Sequence, residues 1–314
     1  MPVKPRPGAG ARRVLADDAD LRSVQVPLEV RVGGDVDRCD GHAVSVPEQR
    51  CPVGGWRNDR ASGCRRPRRT RCGFVTAFEL AVQDAAGVAI AGRVRPDRIE
   101  LAAALSTGGL TPSPGLIEAA VAAGVPVHVL VRPRAGGFAY DEADAAVILA
   151  DVRAALGAGA AGVVVGGTAG DGVDLDLTRA VVDAAGGAEV TFHRAFDTLR
   201  DRRRAIDALA DAGVTRILTS GGASRAADAG AELRALATHA AGRIQLMAGG
   251  GVDPSNAAAV AATGVDAVHA SAKAVVTERL AVSLGSGAAA GTAGYETTDE
   301  QTATLLRDIL RDAR

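Results

Sequence analysis

Aromatic residues are scarce in this 314-residue chain, which holds one Trp, two Tyr and five Phe. So few rings leave little material for stacking on nucleic-acid bases. The formal net charge of −1 gives the whole chain no general attraction for nucleic acid or anionic membranes. Long apolar runs are also missing, since no window approaches the ~18 uninterrupted apolar residues of a membrane span. We therefore expect neither nucleic-acid nor membrane partners.

A secretory signal and a cysteine framework are absent as well. The N-terminus begins with basic residues but lacks the apolar run of a signal peptide. The four cysteines, Cys39, Cys51, Cys64 and Cys72, all lie in the first quarter of the chain. A folded region without cysteine needs no oxidising compartment. These observations predict a cytoplasmic protein.

Charge divides the chain near Gly73. Residues 1–73 hold 15 Lys and Arg against 9 Asp and Glu, whereas the remainder holds 21 against 28. The first region is interrupted by seven prolines and ends in an arginine-rich run between Cys64 and Cys72. Such a composition buries too little apolar surface to offset its chain entropy. We predict that residues 1–73 form a disordered extension.

Two other interpretations of this extension stay open. An arginine run matches a phosphate surface, so the extension could be a basic nucleic-acid-binding arm. A structural zinc module is disfavoured, because the four cysteines include no closely spaced pair of the kind that zinc ribbons use.

After Gly73, short β-branched runs alternate with Ala- and Leu-rich stretches in units of roughly thirty residues. Uninterrupted apolar runs are typical of parallel strands covered on both faces. Eight such strands with helical crossovers predict an α/β fold, a (β/α)₈ TIM barrel over residues 74–314. The predicted strands are Phe78–Val82, Arg98–Leu101, Val127–Val131, Gly162–Val165, Glu189–His193, Arg216–Thr219, Ile244–Met247 and Asp266–His269.

Glycines mark the ends of the predicted helices. Gly124, Gly159, Gly213 and Gly264 each stand just before a predicted strand, where we expect them to cap the preceding helix. The last helix has its own start signal, because Thr297 and Glu300 have the spacing of a capping box.

Ligands of such a barrel bind at the C-terminal ends of the strands and in the loops that follow, which we call the mouth. Reading those positions gives a short set of polar and glycine residues. The candidates are Glu79, Glu100, Arg132, His193, Arg194, Asp197, Ser220, Gly249, Gly250, Gly251, His269 and Ser271.

His193 is the first candidate for acid–base chemistry, because its ring titrates nearest neutrality and can also bind a metal. The alternative is a histidine hydrogen-bonded within the mouth without a catalytic role. Glu79 and Glu100 lie on adjacent strands and could form a carboxylate pair for proton transfer or metal binding. The alternative for this pair is ion bridges to Arg132 or Arg194.

The glycine run from Gly249 to Gly251, followed by His269 and Ser271, predicts a phosphate cradle, because glycines let backbone N–H groups approach an oxyanion. The alternative is that these glycines only form a tight turn.

Six segments together resemble the CutC family, and the resemblance runs in order from about Phe78 to the C-terminus. The segments are IELAAALSTGGLTPS (99–113), VRPRAGGF (131–138), VTFHRAFD (190–197), ILTSG (217–221), MAGGGV (247–252) and VHAS (268–271). The resemblance implies a cytosolic barrel that forms a homodimer and is linked to copper handling, so copper is the cofactor it suggests. It also implies that Glu79, Glu100, Arg132, His193, Arg194, Asp197, Ser220 and His269 occupy the family's polar mouth.

One departure from the family pattern concerns copper. Members of the family often carry cysteine late in the first strand and just after the Glu-Leu pair of the second. Ala81, Val82 and Ala102 stand at these places here. Since Cu(I) prefers thiolate or thioether ligands, thiolate binding of copper in this barrel is disfavoured.

Two functional hypotheses follow. The first is a CutC-like protein that binds copper through histidine or carboxylate ligands or influences its handling indirectly. The second is a lyase or isomerase acting on a small anionic, phosphorylated or carboxylated ligand. In the second, Arg132 and Arg194 hold the anion, and His193 moves a proton with help from Glu79 or Glu100.

Overall fold

A computed structural model gives the fold of residues 76–278 and 293–313. The predicted disordered extension, residues 1–73, lies outside these described residues. Eight parallel strands close into a barrel in which each strand pairs with its neighbours in the sequence, so the predicted TIM barrel is confirmed. The strands are β1 (Ala77–Val82), β2 (Arg98–Leu101), β3 (Val127–Leu130), β4 (Gly162–Val165), β5 (Glu189–Phe192), β6 (Arg216–Thr219), β7 (Gln245–Gly249) and β8 (Ala267–Ala270).

Helices connect the strands around the outside of the barrel. They are α1 (Ala85–Val94), α2 (Pro114–Ala122), α3 (Glu142–Gly157), α4 (Leu175–Ala185), α5 (Arg202–Asp211), α6 (Gly230–Ala240), α7 (Ala257–Ala261) and α8 (Glu300–Asp312). Six begin at an Asp or Ser whose side chain accepts a hydrogen bond from the backbone N–H three residues later, which satisfies an otherwise free helix donor. These capping residues are Asp84, Ser113, Asp141, Asp174, Asp201 and Asp299.

The core has an outer and an inner part because side chains alternate along each strand. Phe78, Leu80 and Val82 of β1 pack outward in the main hydrophobic core with the helices. Small apolar clusters fill parts of the interior, one around Leu130 and another around Met247. Polar residues occupy much of the remaining interior, and they form the site described below.

Most predicted boundaries agree with the structure. β2, β4 and β6 have the predicted bounds, and the other strands differ by one or two residues. All four predicted capping glycines have positive φ, as the turn from helix to strand requires. The predicted capping box is wrong: Asp299 caps α8, because Thr297 is already part of the strand Ala293–Thr298.

Two antiparallel hairpins were not predicted. Thr168–Ala169 pairs with Gly172–Val173 after β4, and Lys273–Glu278 pairs with Ala293–Thr298 between β8 and α8. Within residues 76–278 and 293–313, no helix has the length and apolar character needed to cross a bilayer.

Candidate functional site

Three of the predicted residues meet inside the barrel on β1, β2 and β8. Each of Glu79, Glu100 and His269 offers an oxygen or nitrogen atom, and these atoms lie within 4.8 Å of one another. His269 Nδ1 is 2.8 Å from Glu79 Oε1. The Oε2 atom of Glu100 is buried and has no hydrogen-bond partner among the described protein atoms. The predicted pairing of the two carboxyl groups is therefore present, and His269 joins it.

Glu79 also contacts Arg98, which is not among the residues predicted for the mouth. Arg98 Nε donates to Glu79 Oε2 at 2.6 Å, because the two residues are opposite each other in the register of β1 and β2. Neither Arg132 nor Arg194 forms the predicted ion bridge to this pair, since both are engaged elsewhere. The sequence contains a signal for this contact. Arg98 and Glu100 are two residues apart in a buried strand, so both charged side chains lie on its inward face.

The carboxyl groups of Glu79 and Glu100 have pKa values shifted in opposite directions, because their surroundings differ. Burial opposes the charged form of Glu79, but Arg98 and the hydrogen bond from His269 outweigh it and lower the pKa well below its usual range. Burial raises the pKa of Glu100 to about 7, and the neighbouring Glu79 charge acts in the same direction. Burial lowers the pKa of His269, but the Glu100 and Glu79 carboxylates outweigh it, so the net change is upward. Glu79 is thus held as the anion beside a Glu100 that can exchange a proton near neutral pH.

Below this cluster, toward the N-terminal ends of the strands, a second arginine fills the interior. Arg216 donates to Thr191 Oγ1, Gln245 Oε1 and Glu189 Oε2. Arg98 also donates to the thioether sulfur of Met247. Together with the bond from Arg98 to Glu79, these bonds join side chains from five strands and occupy the lower end of the barrel.

His193 follows β5 and begins the short 3₁₀ helix Arg194–Thr198. Its Nδ1 accepts a hydrogen bond from the Ala195 N–H, so a neutral ring carries its proton on Nε2. Nε2 is buried and has no hydrogen-bond partner among the described protein atoms. Burial and the nearby Arg132 charge lower the pKa of His193 to about 4. The ring is therefore a neutral donor at pH 7.

Arg132 lies two residues after β3 with its guanidinium turned into the surrounding loops. Nη1 donates to the carbonyls of Thr107 and Gly109, and Nη2 donates to the carbonyl of Gly136. The guanidinium carbon is 5.2 Å from the centre of the Phe138 ring, which in turn is 4.8 Å from the His193 ring centre. Nε is buried without a partner among the described protein atoms.

Asp197 joins the loop after β5 to the end of β6. Its carboxylate accepts hydrogen bonds from the Thr219 hydroxyl, from the N–H groups of Ser220 and Gly222, and from the Ser220 hydroxyl. It also accepts one from Arg194 Nε at 2.9 Å. These hydrogen bonds hold the carboxylate in place, so Asp197 links the loop after β5 to the loop after β6.

Arg194 extends across the β6 and β7 ends of the mouth. Its Nη2 donates to the Ser220 hydroxyl at 3.0 Å, and a Cβ at Gly250 would be 3.2 Å from its Nη1. The Arg194 side chain is 42% exposed, so it can still meet a ligand from solvent.

Two features favour glycine in the run Gly249–Gly251. Neighbouring side chains leave little space for a Cβ, and the turn requires positive φ. A Cβ at Gly249 would be 2.7 Å from Leu218 Cδ1 and 3.1 Å from His269 Cβ. Gly250 and Gly251 have positive φ, and their carbonyls accept from Ala226 N–H and Arg225 respectively. Ser271 is half-buried just after β8.

A recess of about 490 Å³ lies at the β1 and β2 ends of the mouth. Its lining includes Gln83, Ala104, Ser106, Val275 and Tyr295, from the two strand-end loops and the hairpin after β8. Neither Glu79 nor Glu100 lines this recess.

Comparison with known proteins agrees with the resemblance of the motifs. The family model described as CutC family matches residues 76–274, which span all eight barrel strands. A family protein CutC of Agrobacterium fabrum is 41% identical over 238 residues, covering 74% of this chain and 93% of that protein. One from Caulobacter vibrioides is 43% identical over 196 residues, covering 62% of this chain and 80% of that protein.

A solved structure gives the same result for the fold. The CutC protein of Streptococcus agalactiae, whose name assigns it to copper homeostasis, matches with a TM-score of 0.59 at 29% identity. The match covers 62% of this chain and 97% of that one. The sequence motifs, the barrel and these relatives agree, and the chain belongs to the CutC family.

Proposed function

We propose that this barrel is an enzyme of the lyase or isomerase type that transfers a proton on a small anionic metabolite, with Glu100 as the group that accepts and returns the proton. The observation that carries the proposal is the Glu100 Oε2 atom, which is buried beside Glu79 and His269 without a hydrogen-bond partner among the described residues. A buried polar atom left unpaired is costly, and such atoms are typical of sites where a ligand completes the bonding.

The difference between the two carboxyl groups supports this role. Two adjacent acids whose environments push their pKa values apart are typical of acid–base sites. Glu79 stays ionised through Arg98 and His269, whereas the pKa of Glu100 is raised to about 7 by burial. An acid–base group is most effective when its pKa lies near the working pH.

His193 is better suited to donate a hydrogen bond than to remove a proton. Its Nδ1 already accepts from Ala195, and its pKa of about 4 makes the ring a weak base. We therefore assign proton transfer to Glu100 and hydrogen-bond donation to His193. Arg98 and His269 position Glu79, and Asp197 positions Arg194 and Ser220 at the β6 and β7 ends of the mouth.

The proposed chemistry balances within the substrate and Glu100. The Glu100 carboxylate accepts a proton from a carbon next to a carbonyl or carboxyl group, and the C–H electron pair moves onto oxygen to give an enolate. Where a further double bond is conjugated with this enolate, return of the proton to the γ-carbon shifts the double bond and completes an isomerisation. Expulsion of a leaving group from the adjacent carbon, with the proton passing to that group, completes a lyase reaction.

Proton transfer can be tested before the full reaction is known. We would incubate the full chain in D₂O with a panel of small oxo- and hydroxy-carboxylates and sugar phosphates, and follow loss of C–H signals by proton NMR. We expect exchange with at least one compound, and its loss in Glu100→Gln but not in Glu118→Gln, which alters an exposed residue on α2. Exchange that persists in Glu100→Gln would contradict the assignment, and no exchange with any compound would contradict the proposed chemistry for these classes.

Copper binding is a second candidate, favoured by the closeness of the Glu79, Glu100 and His269 ligand atoms. The barrel has no cysteine, and the thioether of Met247 is buried and bonded by Arg98, so these residues do not fit Cu(I). Two carboxylate oxygens and one imidazole nitrogen fit a divalent ion such as Cu(II) better. The name of the Streptococcus agalactiae relative gives this candidate its relevance.

The copper candidate is tested by calorimetric titration of the full chain with the four cysteines changed to serine, which removes thiolates outside the barrel. Stoichiometric binding of Cu(II) that is lost in His269→Ala would support it. Absence of binding under both oxidising and reducing conditions would remove it and leave the proton-transfer proposal unchanged.

A further inference from the structure

Three arginines in the described residues are buried to more than nine-tenths: Arg98, Arg132 and Arg216. Arg98 is 2.6 Å from a Glu79 oxygen, and Arg216 is 2.9 Å from a Glu189 oxygen. Among residues 76–278 and 293–313, no carboxylate lies within 4.0 Å of the Arg132 guanidinium nitrogens. A buried charge without an opposite charge is expensive, so Arg132 lacks the compensation that the other two receive.

Of the three guanidinium nitrogens of Arg132, Nε is the one without a hydrogen-bond partner among the described residues. Both Nη atoms donate to loop carbonyls, and the face of Phe138 covers part of the cation. The Nε–H is buried and lacks an acceptor in the part of the chain that the structure describes. Arg132 is therefore held in place by the loops, with its Nε–H left for a ligand.

Two further buried donors lie close to this guanidinium. His193 Nε2–H has no hydrogen-bond partner among residues 76–278 and 293–313. Burial lowers the pKa of that ring, and Arg132 is near enough to lower it further. The Tyr140 hydroxyl is also buried, and no described residue forms a hydrogen bond of normal geometry with it. Burial raises the pKa of Tyr140, whereas the charge of Arg132 and a close side-chain contact with Arg132 lower it, so the hydroxyl lies beside the same cation.

We infer that Arg132 Nε, His193 Nε2 and the Tyr140 hydroxyl form a binding site for the carboxylate group of a small monocarboxylate. We call these three groups the donor site. The inference rests on the proposed function in one respect: the carboxylate bound by the donor site would be the anionic group of the substrate on which Glu100 acts. The site itself is defined by donors and charge, and its occupancy can be measured without any reaction.

The charge of the donor site favours a monoanion. Arg132 supplies one positive charge, and His193 is neutral at pH 7 because its pKa is about 4. A carboxylate would cancel that charge and accept hydrogen bonds from separate donors on its two oxygens. The second charge of a phosphate dianion would be buried without a partner, which disfavours phosphate at this position.

The position of the donor site suits the proposed chemistry. Arg132 follows β3, which is adjacent to β2 and therefore to Glu100. Phe138 and the exposed Gly136 and Gly137 form the loop over the donors. The three donor atoms have almost no contact with solvent, so a carboxylate would have to displace part of this loop to reach them.

The test is a ligand titration followed by NMR on full-length protein labelled with ¹⁵N-histidine. Formate and acetate are the probes, with inorganic phosphate as the comparison. We expect saturable shifts of the His193 Nε2–H signal with the carboxylates, none with phosphate, and no change at His239, which lies on α6. The titration is repeated in Glu100→Gln, where we expect the carboxylate affinity to be retained.

Two substitutions at one position separate the roles of the ring nitrogens. His193→Asn keeps an acceptor where Nδ1 receives the Ala195 N–H but removes the Nε2 donor, whereas His193→Gln keeps an N–H near Nε2 and loses that acceptor. In these variants affinity is followed by calorimetry. We expect carboxylate binding to weaken about tenfold or more in His193→Asn, and by about threefold or less in His193→Gln.

Several results would overturn the inference. They are the absence of a carboxylate shift in both wild type and Glu100→Gln, tighter binding of phosphate than of carboxylates, and equal losses in the Asn and Gln variants. Carboxylate binding without Glu100-dependent hydrogen exchange would instead leave the donor site standing and count against the proposed enzymatic function alone.

Discussion

The imidazole of His193 occupies the space that a side chain at Gly166 would need. A Cβ at Gly166 would overlap both Nδ1 and Cε1 of the ring. Gly166 lies just after β4 and is not among the residues with positive φ, so the restriction is one of space rather than backbone conformation. The orientation of the proposed donor therefore depends on a glycine from the neighbouring strand.

Gly166→Ala should displace the His193 ring. We expect the free energy of unfolding to fall by about 1–3 kcal/mol, the range typical of overpacking, together with a loss of carboxylate binding. Urea unfolding and the His193 NMR signal measure the two effects. Gly172→Ala is the control, because its Cβ would approach only a carbonyl at 3.9 Å. Equal effects of the two changes would contradict the explanation.

Glu100→Gln should alter how stability depends on pH. The pKa of this carboxyl rises from 4.5 to about 7 on folding, so the folded state binds the proton more tightly. Its contribution to stability is fully present below pH 4.5 and is lost as the pH rises through 7. The stability of the variant relative to wild type should therefore increase by up to about 3 kcal/mol across this interval.

Urea unfolding at a series of pH values gives this difference. The comparison is needed because His193 acts in the opposite direction: its lowered pKa gives a contribution present above pH 6.5 and lost as the pH falls through about 4. Both proteins share that contribution, so it cancels. Exposed Glu118→Gln serves as the control, and a pH-independent difference for Glu100→Gln would refute the prediction.

Glu79→Gln should destabilise the protein more than Glu189→Gln. Both carboxylates accept from a buried arginine, but the Glu79 side chain is fully buried whereas that of Glu189 is 45% exposed. Breaking the buried pair leaves Arg98 uncompensated and should cost about 3–5 kcal/mol. Solvent can replace part of the Glu189 interaction, so we expect a loss of about 1 kcal/mol there. Equal losses in chemical denaturation would show that burial does not set the difference.

Asp197→Asn should loosen the joined loops after β5 and β6. An amide cannot accept from all the donors that surround this carboxylate, and each unpaired buried donor is costly. We expect a loss of about 2 kcal/mol and faster hydrogen exchange at the Ser220 and Gly222 amides. Asp201→Asn is a matched control, because Asn caps a helix about as well as Asp. Unchanged exchange at both amides would contradict the connecting role.

The barrel could be predicted because its strands are short apolar runs between helices that end at glycine. The hairpin of Lys273–Glu278 and Ala293–Thr298 could not, because its strands are separated in sequence and most of the first is exposed. No buried apolar run marks it. The start of α8 was misplaced for the same reason, since Thr297 belongs to that hairpin.

Positions at the mouth could be predicted from the strand ends, but the partners of the polar side chains could not. Strand register places Arg98, rather than Arg132 or Arg194, beside Glu79. The space beside Gly166 and the burial of Tyr140 are products of loop packing, which has no periodic signal in the sequence. The donors and their orphaned atoms are therefore visible only in three dimensions.

The arginines at the lower end of the barrel have a kinetic consequence. Arg98 and Arg216 link side chains of five strands and fill the interior there, so a ligand in the barrel enters and leaves at the mouth. In the proposed reaction, substrate and product would then use the same passage in turn. An enzyme built this way is expected to show competitive product inhibition, and slow product departure would limit its turnover.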